Sequence, residues 1–360
     1  MNNKKAPLLR LAKRDYVSAK YAWIVRLCGF LLAIILGGII FACMGHNPFS
    51  AYGLIITGSL GKKTALRQTI KIAVPLLGTA LAIAPCFLMR FWNIGAEGQI
   101  TAGAIGATFF ALMFGETMPA PILLTIMGLS GIVCGAAWAF LPAFFKAKWG
   151  TNETLFTLMM NYIVIGLVKW LQGGPWEGKP GSQIIPNFAE NAVLPKVFGI
   201  HCGWIIIVIL VVVMYFYMYK SKQGYEIRVV GESENTARYA GMNVLKITIR
   251  TMLISGAICG LVGFMVASGA NMTLYHSVAD GVGFTAITVA WLGQLNPFAM
   301  VIISFLMAIL EKGANTLQTE LAVPASISDI IIGIFLLCML ASEFFINYRV
   351  MIERGEDNIK

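Results

Sequence analysis

Apolar runs of about twenty residues, each closed by charge, glycine or proline, recur along nearly the whole chain. They fall at 22–44, 68–89, 97–115, 121–145, 154–171, 204–219, 251–270, 283–296, 298–317 and 326–346. A hydrocarbon core of ~30 Å is crossed by a helix of ~20 apolar residues. The pattern therefore predicts an all-α, polytopic membrane protein with about ten transmembrane helices. A barrel strand would alternate apolar and polar positions, and the unbroken run Ile205 to Val213 does not. Two spans, 97–115 and 283–296, are short and rich in small residues. They follow the irregular stretches Trp92-Asn93-Ile94-Gly95 and Asp280-Gly281-Val282-Gly283. Each lies between two long spans, so 72–145 and 251–317 form a weak internal repeat with one broken helix in each half. Broken helices at membrane depth need covering protein or a water-filled cavity, and a repeated pair of them points to a transport path. Two ordinary short helices in a crowded bundle would leave the same pattern.

Composition agrees, since only 12% of the 360 residues are charged against roughly a quarter in soluble domains. The net charge of +10 comes from short basic clusters between spans, the habit of membrane-protein loops rather than of a nucleic-acid surface. With the N-terminus inside, eighteen Lys and Arg fall on the inner side and eight on the outer, with Arg26 at the first span's inner edge. That asymmetry places both termini in the cytoplasm. The Lys62 to Lys71 cluster is the exception. The expected organisation is a basic cytoplasmic N-terminus (1–21), a transmembrane domain (22–346) with a charged loop at 220–250, and a cytoplasmic tail (347–360). The start of the chain has a signal peptide's polarity, but its apolar run is too long, so it reads as an uncleaved first span. Seven scattered cysteines and three distant histidines give no metal-ligand spacing. The stretch Thr57 to Thr64 lacks the first glycine of a Walker loop and has Lys63 in place of its hydroxyl residue. No cofactor, metal or catalytic residue is expected of this chain.

The segment Phe91 to Gln99 places Asn93, Glu97 and Gln99 beside Gly95 and Gly98 at a membrane-embedded turn. A carboxyl group at that depth costs about 2.5–3.5 kcal/mol and therefore faces a partner, a cavity or the bundle interior. These groups either line a permeation path or hold helices together, and Asn161 in the fifth span has the same two options. The Gly131/Gly135 and Gly256/Gly260 pairs offer flat faces for close helix packing. In the charged loop, Ser233 is an N-cap type for a short helix through Glu234 and Thr236 to Tyr239, which Gly241 ends. The stretch from Gln172 to Gly203 carries too many glycines and prolines for a regular helix.

The run Asn93-Ile94-Gly95-Ala96-Glu97-Gly98-Gln99 resembles the signature of permease subunits of bacterial ABC importers in the branched-chain amino acid and ribose permease superfamily. It is most similar to the branch that imports nucleosides with a basic membrane lipoprotein as receptor. Lys148 to Thr154, Thr157 to Tyr162, Ala237 to Asn243, and Gly281 to Phe284 through Asn296-Pro297 agree with it in order. The resemblance spans about residues 40–346, with Ser233 and Trp92 as departures. It implies a bacterial inner-membrane permease acting with ABC ATPase subunits, a second permease subunit and an external substrate-binding lipoprotein, in contact with membrane lipid and with no nucleic-acid partner. Under it, Trp92, Asn93, Glu97, Gln99 and Asn161 line the substrate path. Gly231, Glu232, Glu234, Arg238, Tyr239 and Gly241 form the coupling element in a groove of the ATPase. The 172–203 loop, read from its own residues, is either a docking surface for an external receptor or a mere connector. The rivals are a ribose-type sugar importer and an ion-coupled secondary transporter using Glu97 as its proton or sodium site, which would have no need of the 220–250 loop.

Overall fold

The computed structural model describes residues 9–14 and 18–352. Of the expected tails, 1–8, 15–17 and 353–360 lie outside the described residues, and with them Lys4, Lys5, Arg354 and Lys360. The elements are β1 (Leu9–Lys13), α1 (Ala19–Cys43), α2 (Pro48–Leu60), α3 (Lys63–Leu88), α4 (Ala96–Phe114), α5 (Ala120–Trp149) and α6 (Glu153–Gln172). There follow a hairpin of β2 (Lys196–Val197) and β3 (Ile200–His201), then α7 (Gly203–Lys220), α8 (Lys222–Glu232), α9 (Glu234–Tyr239) and α10 (Val244–Met265). A π-helical turn, Val266–Asn271, extends α10. The chain continues through α11 (Val282–Leu292), α12 (Pro297–Glu320), α13 (Ala325–Asn347) and β4 (Tyr348–Ile352).

The protein is all-α and polytopic. Among the described residues, eight helices are long and apolar enough to cross a membrane: α1, α3, α5, α6, α7, α10 with its π turn, α12 and α13. The two short spans read from the sequence are the remaining ones, α4 with 19 residues and α11 with 11. The ten expected segments are thus all helices. Two further helices lie where connectors were expected. The first, α2, follows α1. The second, α8, buries Gly224, Ile227, Val230 and Gly231 along one side and is capped by Ser221, whose Oγ accepts from the Gly224 N–H at 3.0 Å.

The chain forms two compact units. In the larger, Ser59–Lys312, α3 and α10 bury 78% and 72% of their most apolar stretches, against 28–33% for α5, α6 and α7. They are the centre of this unit. The pairs α3–α4 and α10–α11 interlock, because the short helix of each packs on the long helix of the other: α4 on α10, and α11 on α3. The α5–α10 contact is a glycine seam as expected, where a methyl group on Gly135 or Gly260 would strike the backbone of Gly256 or Gly131. The residues between α6 and α7 are tied down rather than loose. The Phe188 N–H donates to the Met272 carbonyl at 2.8 Å, Leu194 N–H to Ser268 at 3.2 Å, and Ser268 Oγ to the Ala192 carbonyl at 2.5 Å.

The second unit joins the chain's two ends, Met1–Gly58 and Gly313–Lys360. Here α1 packs on α13, and Arg26 reaches Glu343 at 3.3 Å. A small core of Phe41, Ala51, Ile55, Leu317 and Ile331 fills it. β1 pairs antiparallel with β4, Leu9 opposite Ile352 and Lys13 opposite Tyr348, so both described ends of the chain lie on the same side of this helix pair.

Candidate functional site

The break between α3 and α4 is built by side chains that take over backbone groups the helices leave unmatched. Asn93 Oδ1 accepts from the Gly95 N–H at 3.0 Å, and its Nδ2 donates to Ser255 Oγ of α10 at 3.3 Å. The amides of Asn93 and Gln99 exchange two bonds, at 3.4 and 3.2 Å. From α6, Asn161 Oδ1 accepts from the Gly98 N–H at 2.8 Å while its Nδ2 donates to the Ile94 carbonyl at 3.0 Å. Thr157 Oγ1 accepts from the Ile94 N–H at 3.2 Å. The sequence offered no sign that Thr157 and Ser255 join this cluster.

Glu97 reaches the other break. Its Oε1 accepts from the Gly281 N–H at 2.9 Å and its Oε2 from the Gly283 N–H at 2.8 Å, so both carboxyl oxygens close the first turn of α11. The N-terminus of a helix carries partial positive charge and free N–H donors, the setting in which an acidic group is most favoured. A Cβ on Gly283 would run into the Glu97 backbone, which explains why glycine stands there. Asp280, at φ 45°, and Gly281, at φ 76°, turn the chain into the helix.

Of the five residues expected on a substrate path, Asn93, Glu97, Gln99 and Asn161 are buried and hydrogen-bonded to protein, and Trp92 is 47% exposed. Trp92 is joined by two rings not singled out from the sequence, Trp291 at the end of α11 and Phe87 at the end of α3. All three centroid distances are 5.7 Å, and the two indoles lie within 24° of parallel. Trp291 is 36% exposed, and Phe87 is buried beneath the pair.

Beside this cluster the ends of α3, α5, α8 and α9 enclose a groove of about 990 Å³, lined among others by Arg90, Lys148, Gly231, Glu234 and Arg238. Among the described residues no group of three His, Cys, Asp or Glu could hold a metal ion.

Residues 66–340 match the family described as "Branched-chain amino acid transport system / permease component". The chain belongs to this permease family. A glucose ABC transporter permease protein of Haloferax volcanii is 32% identical to it over 366 residues, covering 97% of this chain and 96% of that one. A guanosine ABC transporter permease protein of Bacillus subtilis is 31% identical, covering 90% and 94%. A nucleoside ABC transporter permease protein of Lactococcus lactis subsp. cremoris is 27% identical, covering 92% of each. The protein is therefore a multi-pass ABC permease, a class that works with a separate ATPase subunit and usually a second permease subunit.

In this permease the helix expected from Ser233 is α9. Ser233 Oγ accepts from the Thr236 N–H at 3.2 Å, and Gly241, at φ 75°, ends it. Glu234 and Arg238 pair across one turn at 3.6 Å. Tyr239 is 92% exposed, and Glu232 lies 3.9 Å from Arg90 at the surface. Gly231 is the buried member of the set. It sits so close to the Leu88 carbonyl at the end of α3 that no side chain fits.

Proposed function

We propose that this permease carries a nucleoside inward, handed over by an external lipid-anchored receptor and driven by a partner ATPase, with both termini in the cytoplasm. The observation that carries the reading is the indole pair Trp92 and Trp291. A nucleobase is flat and apolar on its faces, and two near-parallel exposed indoles backed by a buried phenyl ring offer the matching wall. The nucleoside and guanosine permeases among the relatives point the same way. In this reading Trp92 touches the substrate, while Asn93, Gln99, Asn161 and Glu97 shape the path by fixing the two helix breaks. The α9 segment is the coupling element. Gly231 seats α8 on the end of α3, and the next residues of α3 lead to Phe87 and the indoles, so a push on α9 has a packed route to α11.

The likeness to a glucose permease supports a second reading, a simple-sugar importer. Sugars also lie flat on aromatic rings, so the two readings separate by substrate. Reconstituted with its ATPase, second permease subunit and receptor, the permease is expected to take up radiolabelled guanosine, with unlabelled guanosine competing and glucose not. Uptake of glucose alone would replace the nucleoside reading with the sugar one.

A further inference from the structure

A separate cavity of about 140 Å³ lies within the larger unit, between α3, the π turn after α10 and the approach to α11. Its polar lining is Lys71, Asn271, Tyr275, Asp280 and Glu311, and Ile100 of α4 contributes to its apolar wall. At roughly 30 Å³ per water-sized group, it has room for one small ring with hydroxyls. Asp280 and Asn271 lie close to the Tyr275 hydroxyl.

We propose that this cavity is a binding subsite for a neutral, hydroxyl-bearing ring. Lys71 donates to hydroxyl oxygens, Asp280 accepts from hydroxyl hydrogens, and Tyr275 with the apolar wall covers a face of the ring. This deepens the nucleoside reading and rests on it, since the ring would be the substrate's sugar. A hydroxyl is both donor and acceptor and can satisfy an ammonium, a carboxyl group, a phenol and an amide in turn. A charged ligand would meet like and opposite charge together. Asp280 is a non-glycine residue in the left-handed backbone region, a costly conformation that persists where surrounding structure enforces it and clusters at functional positions. The turn is held on both sides of it: the Asp280 N–H donates to the Ser277 carbonyl at 3.0 Å, and the Gly281 N–H next to it to Glu97 Oε1 at 2.9 Å. Glu97 is then a positioning residue, which sets the turn that presents Asp280. The cavity lies at the N-terminal end of α11 and the indole wall at its C-terminal end. Eleven residues separate them by about 16 Å at ~1.5 Å each, so one short helix links a sugar subsite to a base-stacking surface further along the path.

The test uses the whole transporter in proteoliposomes, with initial uptake of tritiated guanosine and of 2′,3′-dideoxyguanosine measured per assembled complex. Asp280→Asn tolerates the left-handed conformation, and Lys71→Met keeps the length of the side chain. The receptor is unchanged, so any change in preference between the two compounds belongs to the permease. Loss of a charged group's bond to a hydroxyl is worth about tenfold or more. Lys71→Met should lower guanosine uptake by about that factor, and Asp280→Asn, which keeps an amide oxygen as acceptor, by less, while both leave dideoxyguanosine uptake near wild type. Equal loss for both compounds, or an unchanged preference, would overturn the subsite. If wild type takes up neither compound but carries glucose, the nucleoside reading fails separately. The same variants are then read with glucose against 2-deoxyglucose, where an unchanged preference again overturns the subsite.

Discussion

Glu97 and Gly283 stand 186 positions apart, yet the carboxyl group of one accepts the backbone N–H of the other at 2.8 Å. With the second bond to Gly281, at 2.9 Å, this contact fastens the first turn of α11 to the first turn of α4. The short helices of the two halves are thereby held break to break. The acidic residue in the family signature serves a helix terminus in the opposite half.

Removing that cap leaves two N–H groups unmatched, each costing about 1–3 kcal/mol. Glu97→Ala should therefore lower the thermal midpoint of the purified permease and its yield in the assembled complex. Glu97→Gln keeps one acceptor and turns its amide N–H₂ toward the other N–H, so it should fall between alanine and wild type. A thermal midpoint unchanged in both variants would show that the contact does not hold α11.

The indole wall makes a different prediction. Trp92→Ala and Trp291→Ala remove exposed rings, so assembly should persist while guanosine uptake falls. With stacking worth about 0.5–1.5 kcal/mol beyond area burial, the fall should be several-fold, with partial recovery in the Trp→Phe variants. Uptake tracking assembly one for one would make the rings structural only.

The pairing of Glu234 with Arg238 allows a clean test of coupling. Exchanging them, Glu234→Arg with Arg238→Glu, preserves a pair across the same turn, and exposed pairs of this kind contribute only ~0.3–0.5 kcal/mol. The permease should insert and assemble as before, whereas substrate-stimulated ATP hydrolysis and uptake should separate. Normal uptake by the exchanged protein would exclude α9 charge from the ATPase contact.

Topology can be read with single cysteines on a cysteine-free background. Tyr239, at 92% exposure, and Ser182, also exposed, give accessible positions. An impermeant thiol reagent applied to intact cells should label Ser182→Cys and spare Tyr239→Cys. The reverse pattern would invert the proposed orientation.

His201 supplies a pH signature. Its ring is 2% exposed and packs beside Gly269. Burial, with Lys71 as a smaller contribution, lowers its pKa from 6.5 to about 4. The unfolded chain therefore takes up the proton first. The neutral ring's contribution is complete above about pH 6.5 and is lost as pH falls toward 4, by at most roughly 3–4 kcal/mol. The thermal midpoint should drop across that window in wild type and change less in His201→Gln. Parallel pH profiles would contradict the assignment.

What the sequence determined was everything set by local pattern. Apolar length and interruption located ten helices, because in lipid each span must satisfy its own backbone. Small residues beside glycine located the two breaks, and Ser233 with Gly241 located α9. The α8 helix was not read from the sequence, because its charges suggested a connector and its buried residues Gly224, Ile227, Val230 and Gly231 include two glycines that give no apolar signal. The tertiary structure decided which polar residues meet. Asn93 finds Gln99 and Ser255, Glu97 finds α11, Trp92 finds Trp291, and β1 finds β4 from the far end of the chain. Periodicity can say which side of a helix is polar. It cannot say which distant backbone group will be left without a partner, because that follows from how α3 and α4 pack on α10 and α11, and in this protein the buried polar residues are placed by that need.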